Sequence, residues 1–189
     1  MNKLLKYLGY AYILIIVIGC SKNIIIQRVD SNDPIIVRVG KGQTKVISGI
    51  KFPFILSIEN SSFFKKKFME IDYEYGYERQ GAGIELYKDN QVVSNYNLKI
   101  IYGNRKVNYL VYSRHFTDIL ESTQDQLKPY FEKMLELNQD TLHIGTVAEF
   151  KEKHGELFKM LTENDTISIR FLKNKNSGLG ERIAIPANW

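Results

Sequence analysis

Phe68-Met69-Glu70-Ile71-Asp72-Tyr73-Glu74-Tyr75-Gly76-Tyr77-Glu78-Arg79 is the stretch that decides the fold class. Met69, Ile71, Tyr73, Tyr75 and Tyr77 alternate with Glu70, Asp72, Glu74 and Glu78. Successive side chains of an extended chain point to opposite faces, so this period of two gathers aromatics on one face and acids on the other. The stretch predicts a half-buried strand.

The same grammar continues on both sides. Toward the N-terminus, Ile24 to Val29 precedes the turn residues Asp30-Ser31-Asn32-Asp33-Pro34. Ile35 to Val39 then runs into Gly40-Lys41-Gly42, followed by Thr44 to Ser48 and by Phe52 to Glu59, where Phe54, Leu56 and Ile58 share a face. Toward the C-terminus, Gly81-Ala82-Gly83 leads into Ile84 to Tyr87, a turn at Asp89-Asn90, and Val92-Val93. Leu98 to Tyr102 and Lys106 to Ser113 flank Gly103-Asn104, a hairpin signal. Turn signals recurring about every ten residues favour a sandwich over a parallel sheet.

The pattern changes at Phe116. Leu127, Tyr130, Phe131, Met134 and Leu135 recur at helical spacing, with Pro129 best placed as an early helical residue, so a helix is expected near Pro129 to Leu137, with irregular helix before it. Thr146-Val147-Ala148-Glu149 is a capping-box pattern opening a second helix, whose stripe is Val147, Phe150, Leu157 and Leu161. Gly155 inside that helix costs about 1 kcal/mol relative to Ala. Thr166 to Leu172 and Arg182 to Ile185 close the chain as strands around a loop from Lys173 to Gly180. The expected fold is α+β: a predominantly antiparallel, β-sandwich-like domain with a two-helix insert at about residues 117–161, before the last two strands.

The N-terminus carries an address. Lys3 and Lys6 precede an apolar run from Tyr7 to Ile18, which ends in Val17-Ile18-Gly19-Cys20. Cys20 is the only cysteine in the chain. This pattern resembles the signal peptide and lipobox of bacterial lipoproteins, matching at Gly19 and Cys20 and departing from the usual residues at Val17 and Ile18. The resemblance covers the first twenty-odd residues. It implies cleavage of residues 1–19, a diacylglycerol on the Cys20 thiol and a further acyl chain, such as palmitate, on the new N-terminus. Ser21, rather than Asp, implies the outer membrane over the inner one. An uncleaved anchor competes, but the run is short of the roughly 20 residues a span needs. An ordinary secretory signal competes too, but no small-x-small cleavage site lies nearby. Two acyl chains hold a protein stably at a membrane, whereas one does so marginally.

Removing residues 1–19 takes two lysines and no acid from 26 basic and 21 acidic side chains, leaving a formal charge of +3. Such near balance, with no long basic block beyond Lys65-Lys66-Lys67, gives nucleic acid no support as a partner. Residues 20–189 suit a single β-rich domain with a proper core. A lone cysteine excludes an internal disulfide, so packing must supply the stability.

Candidate chemistry is sparse. Glu70, Asp72 and Glu74 could approach Ca²⁺, but alternate residues of a strand stand about 6 to 7 Å apart, and a solvated face paired with lysines from a neighbour explains them more simply. His115 lies near Asp118, Glu121 and Ser113, yet no nucleophile elbow is present, and a loop histidine bonded locally is the simpler expectation. His154 falls on the helical stripe as a packing residue, and His143 in Leu142-His143-Ile144 is expected exposed on a strand. Three histidines without a close pair give no zinc spacing. The glycine pairs at 81/83 and 178/180 do not open a helix after a strand, so they read as turns. Lys65 to Lys67 could touch anionic lipid but read first as a solvated turn.

The expected function is therefore a membrane-anchored, non-enzymatic envelope lipoprotein, without catalytic residues, metal or cofactor. Cys20 is its lipidation site, and an envelope protein is its partner. An immunity-type lipoprotein that neutralises a periplasmic toxin is one alternative. A carrier of small molecules or lipids lined by Tyr73, Tyr75 and Tyr77 is another, and a hydrolase around His115 is the weakest.

Overall fold

The computed structural model describes residues 23–40, 46–76, 81–117, 121–173 and 178–189. Among these residues it is an α+β structure, mostly antiparallel β, with two sheets and three helices. The strands are β1 (Ile24–Asp30), β2 (Ile35–Val39), β3 (Ile47–Asn60), β4 (Lys66–Glu74), β5 (Gly81–Lys88), β6 (Gln91–Val93), β7 (Lys99–Ile101), β8 (Arg105–Phe116), β9 (Thr141–Ile144), β10 (Thr166–Leu172) and β11 (Leu179–Pro186). The helices are α1 (Glu121–Glu136), α2 (Val147–Lys153) and α3 (Gly155–Thr162). The larger sheet runs β6-β5-β8-β3-β2-β9, with β1 also on β3, and the smaller runs β11-β10-β4-β7.

β3 organises the larger sheet. The expected strands Thr44 to Ser48 and Phe52 to Glu59 meet in this one 14-residue strand, although residues 41–45 lie outside the described residues. β8 pairs along one side of it from Gly49 to Asn60. On the other side β1 covers Phe54 to Asn60 and β2 covers Ile47 to Lys51. Phe52 and Pro53 fall in the gap between them, where a proline's missing N–H costs no ladder bond. Ile50, Phe52, Phe54, Leu56 and Ile58 alternate along one face of β3, all fully buried. Ile50 and Phe52 pack with α1, α2, α3 and β9 residues, including Leu127, Phe150, Leu157 and Phe158. Phe54, Leu56 and Ile58 pack instead with Phe68, Ile71, Ile167 and Ile169 of the smaller sheet. One strand face thus feeds two cores, and Trp189 packs against both.

Several expectations hold. Asp89 and Asn90 take φ of 51° and 62°, and the β5–β6 hairpin closes across them. The capping box at Thr146 and Glu149 is formed, and Val147, Phe150, Leu157 and Leu161 are all buried. Others are corrected. The first helix starts at Glu121, with Pro129 inside it. The second breaks at His154, which ends α2 and precedes α3. Met69 does not share the buried face of Ile71 and Tyr73; it is 46% exposed. The register with β10 shifts between Ile71 and Phe68, so an extra residue on β4 turns Phe68 inward and Met69 outward.

The Gly103-Asn104 turn is not a hairpin. β7 pairs with β4 in the smaller sheet, while β8 pairs with β3 and β5 in the larger one. The turn carries the chain between sheets because the β3–β4 connection holds it: Asn104 N–H donates to Ser62 O at 3.0 Å. A Cβ on Gly103 would collide with the Phe63 carbonyl, whereas one on Gly155 would meet open space. Gly103→Ala should therefore lower stability by about 2 kcal/mol or more, and Gly155→Ala should raise it by about 0.5 kcal/mol. Urea midpoints moving in opposite directions for the two variants would verify this contrast.

Candidate functional site

Among the described residues, His115 is the candidate catalytic group that the structure brings together with a serine and an acid. It is not a loop residue as expected, because β8 continues to Phe116 and places Ser113 and His115, two apart, on one buried face. Ser113 Oγ lies 2.9 Å from His115 Nε2 and also contacts Phe52 O at 3.3 Å. The expected acid, Asp118, lies outside the described residues, as does the side chain of Glu121. Asp165, in the turn between α3 and β10, comes to the histidine instead, with Oδ2 3.8 Å from Nε2. Tyr73 of β4 donates its hydroxyl to Asp165 Oδ2 at 2.6 Å, and Gly76 N–H donates to Oδ1 at 2.8 Å. Trp189 Nε1 completes the network by donating to the Tyr73 hydroxyl oxygen at 2.8 Å.

The chemistry of this network follows from its burial and its geometry. The side chains of His115 and Asp165 are 2% and 0% exposed, and Ser113 is fully buried. A serine–histidine–aspartate relay uses both ring nitrogens, one to take the serine proton and the other to be oriented by the acid. Here Ser113 and Asp165 approach the same nitrogen. An open pocket of about 190 Å³ at the ends of β2, β3 and β8 includes His115 in its wall, beside Gly49, Ile50 and Phe116. The imidazole itself is buried. The arrangement matches a polar tie between the sheets, because each buried polar group is matched by another.

The aromatic row is packed rather than hollow at its described positions. Tyr73 and Tyr75 ring centroids stand 4.8 Å apart, and both rings meet His115 edge-on. The Tyr75 hydroxyl donates to Gly83 O at 2.7 Å and accepts from Arg114 N–H at 3.0 Å. Tyr77 lies outside the described residues, as do Glu78 and Cys20. Glu70, Asp72 and Glu74 border an open polar cleft of about 700 Å³ that also includes Arg114 and Asn95. The neighbour that pairs with Glu74 is Arg182 of β11, not a lysine from Lys65 to Lys67. Among the described residues, no group of three or more His, Cys, Asp or Glu side chains is placed to hold a metal ion. His143 is exposed on β9 as expected. His154 is half-buried, with its Nε2 3.0 Å from the Tyr130 hydroxyl and its ring 4.8 Å from that of Phe150. Burial first, and Lys153 second, hold its pKa below the usual histidine value.

Two features escaped the sequence. Lys99 is buried, and its ammonium reaches the carbonyls of Met69, Asn95 and Asn97 at 2.6, 2.7 and 2.9 Å; burial pulls its pKa down to about 8. Asn60, fully buried at the end of β3, donates to the carbonyls of Phe64, Ile101 and Tyr102 and accepts from Ser62 N–H and Oγ. It ties down a tip where Phe63 and Phe64 are 87% and 75% exposed. The Phe-Phe pair directly before three lysines was the available signal.

The network should behave as a stabilising element. Tyr73→Phe removes the bond to Asp165 and the acceptor for Trp189, so it should cost about 1–3 kcal/mol, read as a lower urea midpoint. Burial, reinforced by Asp165, pushes the Tyr73 pKa well above its ordinary value, and burial lifts Tyr75 and Tyr112 to about 12. The unfolded chain releases these protons near pH 10, so above that pH the folded state binds more protons than the unfolded one. Stability should be level below about pH 10 with respect to these groups and fall as pH climbs toward 12, with a shallower fall in Tyr73→Phe. Urea titrations across that range measure the slope.

Comparison with protein-family models, with curated proteins and with solved structures found no match to this chain.

Proposed function

We propose that this chain is a lipoprotein of a bacterial envelope, acylated at Cys20 after loss of residues 1–19, whose single β-rich domain acts by binding another protein rather than by catalysis. The observation that carries the proposal is the N-terminal pattern ending in Val17-Ile18-Gly19-Cys20. Its structural support is the short distance along the chain from Cys20 to the folded body. β1 begins at Ile24, and Asn23 O already accepts from Ser61 N–H at 3.0 Å. Among the described residues no helix is long and apolar enough to cross a membrane.

We read the two sheets as sandwich-like, with the helical segment at about 117–161 as an insert over the first half of β3. The outer membrane is the favoured location, from Ser21 after the cysteine. A binding role is supported by the closed Ser113–His115–Asp165 network, which offers bulk substrate no exposed nucleophile, and by open strand edges. β11 pairs only with β10, and β1 only with β3, among the described residues. Such edges accept an added strand from a partner.

Radiolabelled fatty acid should mark the wild-type chain and leave Cys20→Ala unlabelled; label retained in the variant would refute acylation at this cysteine. Affinity capture of the acylated protein from detergent-solubilised envelopes should return a stoichiometric protein partner. Capture of the protein alone would count against the binding role.

A further inference from the structure

We propose that the tip formed by the β3–β4 connection and the β7–β8 turn is a lipid-bilayer docking surface, seating Phe63 and Phe64 in the headgroup boundary beside the acylated cysteine. This rests on the lipid anchor proposed above and adds a second, protein-borne contact with the same membrane.

Three independent observations converge on one end of the molecule. The first is exposure: Phe63 is 87%, Phe64 75% and Tyr102 65% exposed, although a folded chain in water gains by covering such rings. Aromatic side chains of this kind are at home at the membrane–water boundary. The second is charge. Residues 60–67 and 100–107 hold Lys65, Lys66, Lys67, Arg105 and Lys106 and no acid. Lys65, Arg105 and Lys106 are exposed, and Glu59 stands opposite Lys106 in the β3–β8 ladder. A cluster of cations around exposed aromatics fits an anionic lipid surface, where basic side chains gain within a Debye length.

The third observation is position. The described chain enters the fold at this tip: Asn23 O accepts from Ser61 N–H, and Ile24 pairs with Asn60. Cys20 lies three residues before Asn23. Three residues span at most about 11 Å, so lipid on Cys20 would hold the tip at headgroup level. Two attachments also act together, since the tethered patch meets the surface at high effective concentration. The tip is prepared for contact, because the buried Asn60 amide bonds the carbonyls of Phe64, Ile101 and Tyr102 and fixes the loop with its rings outward.

The test uses the full-length chain, expressed in a bacterial host and reconstituted into phosphatidylcholine–phosphatidylglycerol vesicles with brominated acyl chains. Trp189 is the only tryptophan and lies within the fold, so the unaltered chain supplies the reference emission. Phe63→Trp should show added emission quenched roughly twofold or more by the brominated lipid, as expected of an aromatic ring at the acyl boundary. The same variant carrying Lys65→Gln, Lys66→Gln and Lys67→Gln should lose part of that quenching. The intact mass of the same preparation reads acylation separately. Quenching of the acylated chain supports docking. An acylated chain with no quenching overturns docking and leaves the anchor standing. Quenching without acylation refutes the anchor and supports docking by the tip itself. Absence of both overturns both, and a co-purifying protein that shields the tip while quenching is absent assigns the patch to that protein and overturns docking on lipid.

Discussion

A carboxylate with no exposure to water has to be compensated by the protein around it, and the side chain of Asp165 is one. Tyr73 and Gly76 from the smaller sheet's β4 region donate to it, and His115 on β8 of the larger sheet stands beside it. Its turn links α3 to β10, so one residue fastens the helical segment, the smaller sheet and the larger sheet. Its backbone takes part too: Ala187 N–H donates to Asp165 O at 2.8 Å, which brings Trp189 toward the Tyr73 hydroxyl and both cores. Removing one partner of such a group costs far more than an average hydrogen bond adds, which gives the network its control over how the layers meet.

The two cores divide the labour along β3. Its first half is covered by helices and its second by the smaller sheet, and the Asp165–His115–Tyr73 network lies where the two coverings meet. The far end of the same strand is different in character. There Asn60 uses its amide to hold a solvent-exposed tip rather than a packed interior, and the tip carries aromatics and cations. A serine, a histidine and an aspartate therefore gather where the interior needs matching, while Phe63, Phe64 and Tyr102 stand exposed at the end where Ile24 pairs with Asn60.

Much of this was legible in local patterns. The alternation around Ile71 and Tyr73, the Asp89-Asn90 turn, the Thr146–Glu149 capping box and the buried stripe of Val147, Phe150, Leu157 and Leu161 each depend on neighbours a few residues away. The failures share a cause as well. Met69 was turned out by a bulge set by β10, a distant strand. Gly103-Asn104 has hairpin chemistry, but Ser62 and Phe63 hold it, so its flanking strands join different sheets. His115 was weighed against Asp118, its neighbour in sequence, when the acid that reaches it is Asp165.

The amino-acid sequence by itself determined the strand-rich class, the helical segment and most turns, because periodicity and capping are written in adjacent residues. Only the tertiary structure decided which sheet each strand joins, which acid faces His115, and that Phe63 and Phe64 stand exposed at the end where Asn23 enters. Those outcomes rest on contacts between residues far apart in the chain, such as Tyr73 with Asp165 at a separation of 92. A local pattern carries no information about which distant partner will satisfy a buried polar group; packing selects it.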